Sequence, residues 1–303
     1  MSKNPEDYVN LSEKELNGKN ILITGGTSGI GKETALALGR HGANVYIHGR
    51  NKQRGNNIVK ILKQDIGTKS KFIRADFSKL QEVRAASKSI SDDIEKLDVL
   101  FNNAGGFFRG NKTGTNNLEY TFVVNHLASF LLTIKLLPLL ENSEQTSKII
   151  ITSSSAHRTV DNFNFNDINA PKNNWESYGR SKLANVIFNN TLVKKLDSRD
   201  IVSTAVHPGV IPGSGFLRNL PKPLNSIGKI SNYIPLPGLS NTAKGSASLL
   251  NAMNSISEQN NGVYYAEQNP KIPSVISQDT ELQNELWDKS IEYTNLSVPD
   301  ELR

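Results

Sequence analysis

The stretch Thr24-Gly25-Gly26-Thr27-Ser28-Gly29-Ile30-Gly31 joins a short apolar run, residues 21–24, to a helical pattern that starts at Ile30. Glycines at positions 25, 29 and 31 permit a tight turn and let the backbone come close to a pyrophosphate. The N–H groups and the dipole of the following helix then favour the negative charge of that group. The stretch therefore predicts a dinucleotide-binding turn. Its predicted phosphate-binding residues are Gly25, Thr27, Ser28, Gly29, Ile30 and Gly31.

The same glycines nearly match a loop that binds nucleoside triphosphates. Gly26, Gly31 and Lys32 fit the spacing of that motif, but Glu33 stands where a magnesium-binding Ser or Thr is needed. This departure argues against a nucleotide triphosphatase. A glycine-rich turn that binds nothing is the other alternative that this motif alone leaves open.

Short apolar runs alternate with helical patterns along the rest of the chain, which is typical of βαβ units. Right-handed crossovers make such a sheet doubly wound, with its ligand at the carboxyl ends of the strands. We therefore expect an α/β fold, a single doubly wound parallel sheet of the Rossmann-like kind, with about seven strands and helices on both faces. The predicted strands are residues 21–24, 45–47, 72–75, 99–102, 148–152, 202–207 and 263–266. Long helices are predicted over residues 118–140 and 178–196.

The domain organisation follows from where this alternation begins and where it is interrupted. Residues 1–18 are predicted to be an N-terminal extension, and residues 19–303 a single domain. Two stretches, near residues 157–177 and 209–241, break the alternation. Insertions of this kind lie at the surface and often cover the active site, so we expect both to surround the substrate.

Composition excludes several classes of protein. The chain has no cysteine, which rules out disulfides, thiolate nucleophiles and Cys-ligated metals, and no metal site is predicted. The formal net charge is +6, but Lys and Arg are dispersed, which argues against nucleic-acid binding. The most apolar stretch, residues 130–140, is too short to span a membrane and contains Lys135. We expect a cytoplasmic protein without a transmembrane segment.

The end of the second predicted strand bears on the choice of cofactor. It reads His48-Gly49-Arg50-Asn51, and no acidic residue occurs from residue 45 to residue 64. NAD-binding folds usually place an Asp or Glu here for the ribose 2′-hydroxyl. Arg50 can instead hold a 2′-phosphate through charge-assisted hydrogen bonds. We therefore expect NADP(H) to be preferred over NAD(H), the alternative being that Arg50 only ends the strand and faces water.

Tyr178 and Lys182 are four residues apart on a predicted helix and so share one face. A Tyr hydroxyl with its usual pKa of about 10 is a poor acid–base catalyst at neutral pH. A nearby ammonium lowers that pKa, so the pair could pass a proton to or from a substrate oxygen. The Tyr-x-x-x-Lys spacing alone is weak, because it occurs by chance in many helices.

Other motifs give this spacing its weight, and together they resemble the short-chain dehydrogenase/reductase family over roughly residues 19–292. The matching pieces are Thr24-Gly25-x-x-x-Gly29-Ile30-Gly31, Asp76, Asn102-Asn103-Ala104-Gly105, Asn125, Ser154, Tyr178-x-x-x-Lys182 and His207-Pro208-Gly209. Phe163-Asn164-Phe165-Asn166-Asp167-Ile168 and Ser181-Lys182-Leu183-Ala184-Asn185 are similar to the retinol-dehydrogenase-like and WW-domain-oxidoreductase-like branch.

The resemblance implies a catalytic role for four residues. Tyr178 is the general acid–base, and Lys182 lowers its pKa and binds the nicotinamide ribose. Ser154 orients the substrate oxygen, with Ser153 and Ser155 as its neighbours. Asn125 holds a water that connects Lys182 to solvent.

Further cofactor contacts are implied in the same way. Asp76 is implied to lie near the adenine, with Phe77 beside it. The implied contacts along the adenosine ribose are Asn102, Ala104 and Gly105. Those at the nicotinamide are Pro208, Gly209 and Val210. Ser214 would replace the family's usual nicotinamide-binding Thr, one position later.

The expected function is an NADP(H)-dependent oxidoreductase that transfers a hydride between nicotinamide and a carbonyl or alcohol of a lipophilic small molecule. An apolar pocket is suggested by Phe107, Phe108, Phe163, Phe165, Phe216 and Leu217. The alternative is a catalytically silent dinucleotide-binding sensor or scaffold, although such a protein would not need Tyr178. The resemblance also implies a homodimer formed through the two long helices.

Overall fold

The computed structural model describes residues 3–211, 240–299 and 302. Its centre is an eight-stranded sheet with the order β3-β2-β1-β4-β5-β6-β7-β8. Strands β1 to β7 are parallel to their neighbours, and β8 runs antiparallel to β7. The strands are β1 (Asn20–Ile23), β2 (Asn44–Gly49), β3 (Lys71–Arg74), β4 (Val99–Asn102), β5 (Ser147–Thr152), β6 (Ile201–His207), β7 (Tyr264–Ala266) and β8 (Asn269–Lys271).

Helices pack on both faces of this sheet, which confirms the predicted doubly wound α/β fold. The helices are α1 (Glu13–Leu16), α2 (Gly29–Arg40), α3 (Lys52–Lys60), α4 (Leu80–Ser91), α5 (Tyr120–Phe122), α6 (Ala128–Glu141), α7 (Asn174–Lys195), α8 (Thr242–Ser255) and α9 (Thr280–Thr294). Each predicted strand is present within two residues at either end. The sheet has one strand more than expected, namely β8. Its sequence shows no strand pattern, because β8 is exposed along its whole length and includes Pro270.

Two cores lie on opposite faces of the sheet because successive side chains of a strand alternate between faces. In β1, Ile21 and Ile23 join the core under α2, α3 and α8, whereas Leu22 joins the core under α4, α6, α7 and α9. Parallel strands are thus buried on both sides, and for this reason they appear in the sequence as continuous apolar runs.

The N-terminal extension packs against the domain. Leu11 and Leu16 are buried in the core under α2, and Arg40 of α2 donates two hydrogen bonds to the Glu6 carboxylate. Residues 3–18 therefore continue the domain that residues 19–303 were predicted to form.

The predicted helix over residues 118–140 is one continuous helix, Tyr120–Glu141. A π-helical turn, Val123–Leu127, separates α5 from α6 and contains Asn125. Within the described residues this is the one helix with the length and apolar composition to cross a membrane, and 89% of its most apolar window is buried inside the protein. A core helix of a globular protein passes the same test.

The C-terminal helix α9 packs on α6 and α7, the two long helices that were assigned to dimerisation. The Trp287 ring lies 5.2 Å from the Phe130 ring and 6.3 Å from the Phe188 ring, centroid to centroid. Trp287 is buried, and its indole nitrogen donates a hydrogen bond to the Leu302 carbonyl. Part of the expected dimer surface is therefore covered by the chain itself, and the homodimer stays a prediction.

Candidate active site

A cavity of about 440 Å³ lies at the carboxyl ends of the parallel strands, where a doubly wound sheet binds its ligand. It brings together most of the predicted cofactor-binding residues. Those that line it are Gly25, Thr27, Ser28, Gly29, Ile30, Gly31, Arg50, Asp76, Phe77, Ala104, Gly105, Tyr178, Lys182, Pro208, Gly209 and Val210. Ser214 lies outside the described residues.

The turn between β1 and α2 has the shape that a pyrophosphate requires. Gly25 and Gly29 have φ angles of +69° and +57°, which side chains other than glycine rarely adopt. A Cβ atom on Gly31 would lie 2.5 Å from the Gly25 carbonyl oxygen. The start of α2 therefore packs closely on the turn, and these residues fit a bound dinucleotide.

Asn102, the last residue of β4, and Asn103, which follows it, have different positions. Asn102 does not line the cavity, as had been expected, because its side chain is buried and donates a hydrogen bond to Thr133 Oγ1 over 2.7 Å. Asn103 lines the cavity instead, and its amide donates to the Thr24 carbonyl over 2.9 Å. Strand alternation explains the difference, since neighbouring side chains point to opposite faces.

Asn125 is fully buried and does not line the cavity. Its Oδ1 accepts a hydrogen bond from the Gly106 N–H, and its Nδ2 donates to the Gly106 carbonyl and to Ser181 Oγ, all over 2.9–3.0 Å. The side chain therefore ties the loop after β4 to α7. Its implied contact with a relay water stays a prediction.

Ser154, Tyr178 and Lys182 meet at the cavity wall. Tyr178 and Ser154 are hydrogen-bonded through their side chains. The ammonium of Lys182 lies 5.8 Å from the centre of the Tyr178 ring and donates to the Thr152 carbonyl over 3.0 Å. The Ser153 hydroxyl instead donates to the Lys182 backbone carbonyl, which leaves Ser154 as the serine beside Tyr178.

Burial dominates the electrostatics of this cluster. It raises the pKa of Tyr178 to about 12, against the lowering effect of its hydrogen bond with Ser154. Burial also lowers the pKa of Lys182 to about 8. Desolvation of the phenolate outweighs the other effects in the protein without cofactor, and the expected lowering of the Tyr178 pKa by Lys182 stays a prediction. The Tyr178 hydroxyl is protonated at neutral pH.

Three histidines near the cavity are neutral at physiological pH. Burial lowers the pKa of both His48 and His207 to about 4, and it also lowers the pKa of His157. His157 has a structural role, because Nδ1 lies 2.6 Å from the Ser154 carbonyl oxygen and Nε2 accepts from the Ser274 N–H.

His48 was missed at the sequence level as a residue of the site. Its ring stacks on Phe77 with centroids 3.9 Å apart, and its Nδ1 accepts a hydrogen bond from the Gly25 N–H over 3.4 Å. It thereby supports both Phe77 and the phosphate turn. In the sequence, the one sign of this role is that a histidine stands at the end of a predicted strand, and this feature is not specific for a binding site.

The aromatic residues of the predicted pocket separate into two groups. Phe163 and Phe165 belong to the core and do not line the cavity, because the insertion folds inward. Phe108 lines the cavity, and buried Phe107 lies behind it, with ring centroids about 6 Å from both Trp175 and Tyr178. The remaining candidates, Phe216 and Leu217, lie outside the described residues.

Buried Arg180 holds the first insertion on the Tyr178 helix. Its guanidinium forms ion pairs with Asp167 over 2.9 Å and with Glu176 over 3.0 Å. The planar guanidinium can bind both carboxylates at once. Arg180 thus joins the insertion to α7 next to Tyr178.

The fold and this cavity define a class of α/β proteins that bind a dinucleotide beside a Ser, Tyr and Lys cluster. A family model described as short chain dehydrogenase matches residues 19–223, and the chain belongs to this family. Retinol dehydrogenase 12 of Mus musculus is 36% identical over 200 residues, which are 65% of this chain and 63% of that protein. Dehydrogenase/reductase SDR family member 13 of Bos taurus is 36% identical over 211 residues, 68% of this chain and 55% of that protein. The chain thus spans less than two thirds of either relative.

A further relative matches over nearly its whole length. It is the provisionally named daunorubicin C-13 ketoreductase DnrU of Streptomyces sp. (strain C5), 31% identical over 283 residues, with 91% of this chain and 92% of that protein covered. Among solved structures, an uncharacterized protein from Mycobacterium Paratuberculosis has a TM-score of 0.73 at 23% identity, covering 96% of this chain and 100% of that one. A short chain dehydrogenase from Escherichia coli CFT073, solved with NADPH, has a TM-score of 0.63 at 23% identity, covering 86% and 100%. Because both structures are only 23% identical to this chain, they show that the fold is shared and no more.

Proposed function

We propose that this chain is an NADP(H)-dependent oxidoreductase that interconverts a carbonyl and an alcohol of a lipophilic small molecule, with Tyr178 as the general acid–base. The observation that carries the proposal is the contact of Ser154, Tyr178 and Lys182 at the wall of the cavity that contains the phosphate turn. Membership of the short chain dehydrogenase family supports the reaction type.

The chain's own residues perform the proton step. The cofactor, when bound, supplies or accepts the hydride. For reduction, the Ser154 hydroxyl donates a hydrogen bond to the substrate carbonyl oxygen, and Tyr178 transfers its proton to that oxygen as negative charge develops there. The raised pKa of Tyr178 keeps its hydroxyl protonated at neutral pH, so the hydroxyl can serve as the proton donor for this step.

A screen of carbonyl compounds tests this function. Purified protein is mixed with NADPH and a panel of aldehydes, ketones and quinones, and the loss of NADPH absorbance is followed. We expect turnover with apolar members of the panel and none with the Tyr178→Phe variant. Binding of NADPH without turnover of any carbonyl, or of any alcohol with NADP⁺, would support the silent sensor instead.

The preference for NADP(H) is proposed from Arg50, which lies at the end of β2 and lines the cavity. Its guanidinium is exposed and donates a hydrogen bond to the Tyr120 hydroxyl over 3.3 Å. This contact holds a positive charge beside the cavity, where a 2′-phosphate would need it. The E. coli structure solved with NADPH is consistent with this choice.

Arg50→Gln is expected to weaken NADPH binding about 10- to 100-fold, since hydrogen bonds between charged groups contribute about 1.5–3 kcal/mol. The affinity for NADH should stay the same, because NADH has no 2′-phosphate. Fluorescence titration measures both affinities. Arg54→Gln is the matched control, because this exposed Arg of α3 does not line the cavity. Equal affinities of the unmodified protein for NADPH and NADH would contradict the Arg50 argument.

The substrate is proposed to be uncharged and apolar. Near Tyr178, the described lining side chains include Ala156, Thr159 and Trp175, and none of these is ionisable. Trp175 is 48% exposed and lies one helical turn before Tyr178, with their ring centroids 5.9 Å apart. An aromatic surface of this kind favours apolar rings.

Trp175→Ala is expected to lower kcat/KM for an aromatic aldehyde about 2- to 12-fold, because an aromatic pair contributes about 0.5–1.5 kcal/mol beyond area burial. The saturated aldehyde of the same ring size should lose less, so the ratio of the two kcat/KM values reports the ring contact. Trp175→Phe, which keeps an aromatic ring, should preserve the ratio. An unchanged ratio in Trp175→Ala would remove Trp175 from substrate recognition.

Location and assembly remain proposals that rest on the sequence. A cytoplasmic location accords with a chain that has no cysteine. Light scattering tests the homodimer, and a monomer in solution would refute it.

A further inference from the structure

A buried glycine stands inside the helix that carries Tyr178 and Lys182. It is Gly179, in the first half of α7. Glycine is one of the weakest helix formers, and the φ angle of Gly179 lies outside the left-handed range in which glycine is favoured. The backbone conformation therefore does not explain this glycine, and the reason must lie in what packs against it.

The short 3-10 turn Ser155–Thr159 packs directly on Gly179. A Cβ atom at this position would lie 3.0 Å from Val160 Cγ2 and 3.2 Å from both the Ala156 carbonyl oxygen and Thr159 Oγ1. These separations are shorter than favourable van der Waals contact. The Ala156 carbonyl is part of the backbone and accepts a hydrogen bond from Thr159 Oγ1 over 2.8 Å, so it cannot rotate away as a side chain could. A side chain at residue 179 would therefore push α7 and the turn apart.

This turn also connects Ser154 to the Tyr178 ring. The Ser154 hydroxyl oxygen accepts a hydrogen bond from the Ala156 N–H over 3.3 Å, and the Ser154 carbonyl oxygen accepts from the His157 N–H over 3.1 Å. Ala156 packs with Phe107 and Tyr178 in one small buried cluster. A shift of the turn relative to α7 therefore changes the spacing between Ser154 and Tyr178.

Hydrogen bonds hold α7 to the end of β5 at Lys182, about one helical turn beyond Gly179. The Ser153 hydroxyl donates to the Lys182 carbonyl over 2.8 Å, and Lys182 Nζ donates to the Thr152 carbonyl over 3.0 Å. Because the helix is fixed at this point, its distance from the turn at the level of Tyr178 depends on how closely the two elements meet at Gly179.

We propose that Gly179 is a positioning residue for the proton step, because its lack of a side chain lets α7 approach the turn and so sets the spacing between Ser154 and Tyr178. Ala156 and Thr159 line the cavity, so the same contact also sets the width of the cavity beside Tyr178. The inference deepens the proposed function and rests on it for its effect on turnover.

Gly179→Ala is the test variant, because alanine is the strongest helix former and adds a single methyl group. The turn or α7 must then give way by a few tenths of an ångström. We expect kcat for carbonyl reduction to fall about 3- to 10-fold, since a misplacement of about 1 Å can cost about 100-fold. The affinity for NADPH, measured by fluorescence titration, should stay the same, because the phosphate turn lies on other elements.

Gly39→Ala is the matched control. Gly39 is a buried glycine of α2, and a Cβ atom there would lie 2.2 Å from Leu62 Cδ2, away from the cavity. This variant also overpacks the core at a helical glycine, so its thermal unfolding should change while its kcat stays the same. Equal losses of kcat in both variants would overturn the proposal, because overpacking anywhere in the protein would then be sufficient.

A double-mutant cycle with Ser154→Ala tests whether the loss acts through Ser154. In the Ser154→Ala background, Gly179→Ala should cause little further loss of kcat, because the hydroxyl whose spacing it changes is gone. An undiminished loss in that background would contradict the proposal, as would an unchanged kcat in Gly179→Ala alone. If Gly179→Ala does not fold, Val160→Ala is added to it, since this removes the nearest contact and keeps the one with the Ala156 carbonyl.

Crystal structures measure the spacing directly and do not depend on turnover. With NADPH bound, the distance between Ser154 Oγ and Tyr178 Oη should differ between Gly179→Ala and the unmodified protein by a few tenths of an ångström, and Gly39→Ala should keep the unmodified distance. The same distance in all three proteins would overturn the inference. If the unmodified protein turns over no carbonyl, the proposed function fails, while this distance still tests the role of Gly179.

Discussion

Tyr178→Phe is expected to lower kcat for carbonyl reduction by a factor of about 100 to 10,000, the usual contribution of a positioned acid–base group. The variant loses one oxygen atom and with it the only proton donor that we assign to the substrate oxygen. Ser154 still orients that oxygen and Lys182 still binds the cofactor, so NADPH affinity should change little. Stopped-flow or steady-state measurement of NADPH oxidation gives kcat, and fluorescence titration gives the affinity.

Two further measurements make this prediction specific. Phe107 and Trp175 pack around the ring of residue 178, and a phenylalanine ring preserves those contacts, so thermal unfolding should show a folded variant. Ser154→Ala serves as a second variant, and it should lose activity without changing the cofactor affinity. Turnover by Tyr178→Phe at the rate of the unmodified protein would exclude Tyr178 as the acid–base.

Lys182→Met is expected to abolish most activity and at the same time to stabilise the fold. Burial lowers the pKa of Lys182 to about 8 from its usual 10.5. Each pKa unit corresponds to about 1.4 kcal/mol, so keeping the ammonium charged in the folded state costs about 3 kcal/mol at neutral pH. Replacement by Met removes that cost but also removes the hydrogen bond to the Thr152 carbonyl. We expect a net gain of about 1–3 kcal/mol in unfolding free energy.

The pH dependence of this gain follows from the same shift. The folded protein holds the Lys182 proton less tightly than the unfolded chain, so the cost is fully present below the folded pKa of about 8. As pH rises from about 8 towards 10.5, the unmodified protein should gain stability relative to Lys182→Met, and the difference should vanish. Urea unfolding of both proteins at several pH values measures this. A destabilised Lys182→Met variant at neutral pH would contradict the assigned burial.

The sheet could be predicted closely because its strands are buried on both faces. A parallel strand such as β5 must be apolar at successive positions. This apolar run can be recognised in the sequence without knowing which strands lie beside it in the sheet. β8 escaped prediction for the opposite reason, since an exposed edge strand that contains Pro270 needs no apolar residues. The helices α8 and α9 carry weaker patterns, and their places depend on the core that they cover.

The candidate site could be predicted where its residues are adjacent in sequence. The phosphate turn and the Tyr178–Lys182 pair each depend on a single local element, and both line the cavity as expected. The sequence did not show that the Asn103 side chain lines the cavity and the Asn102 side chain does not, because one residue of strand register decides which asparagine faces the cavity. The assignment of Asn102 to the ribose stays a prediction. Phe163 and Phe165 fill the core instead of the pocket because the insertion that carries them folds inward.

The sequence by itself determined the alternation of strands and helices, the glycine turn at residues 24–31 and the spacing of Tyr178 and Lys182. These are local patterns, set by helix and strand periodicity and by the conformational freedom of glycine. Only the tertiary structure decided the protonation of the cluster and the contacts behind it. The pKa shifts of Tyr178 and Lys182 come from burial by distant elements, and the hydrogen bonds of Asn125 to Gly106 and Ser181 depend on how its helix packs against α7. Desolvation and packing are properties of the folded chain, so no local pattern in the sequence could have shown them.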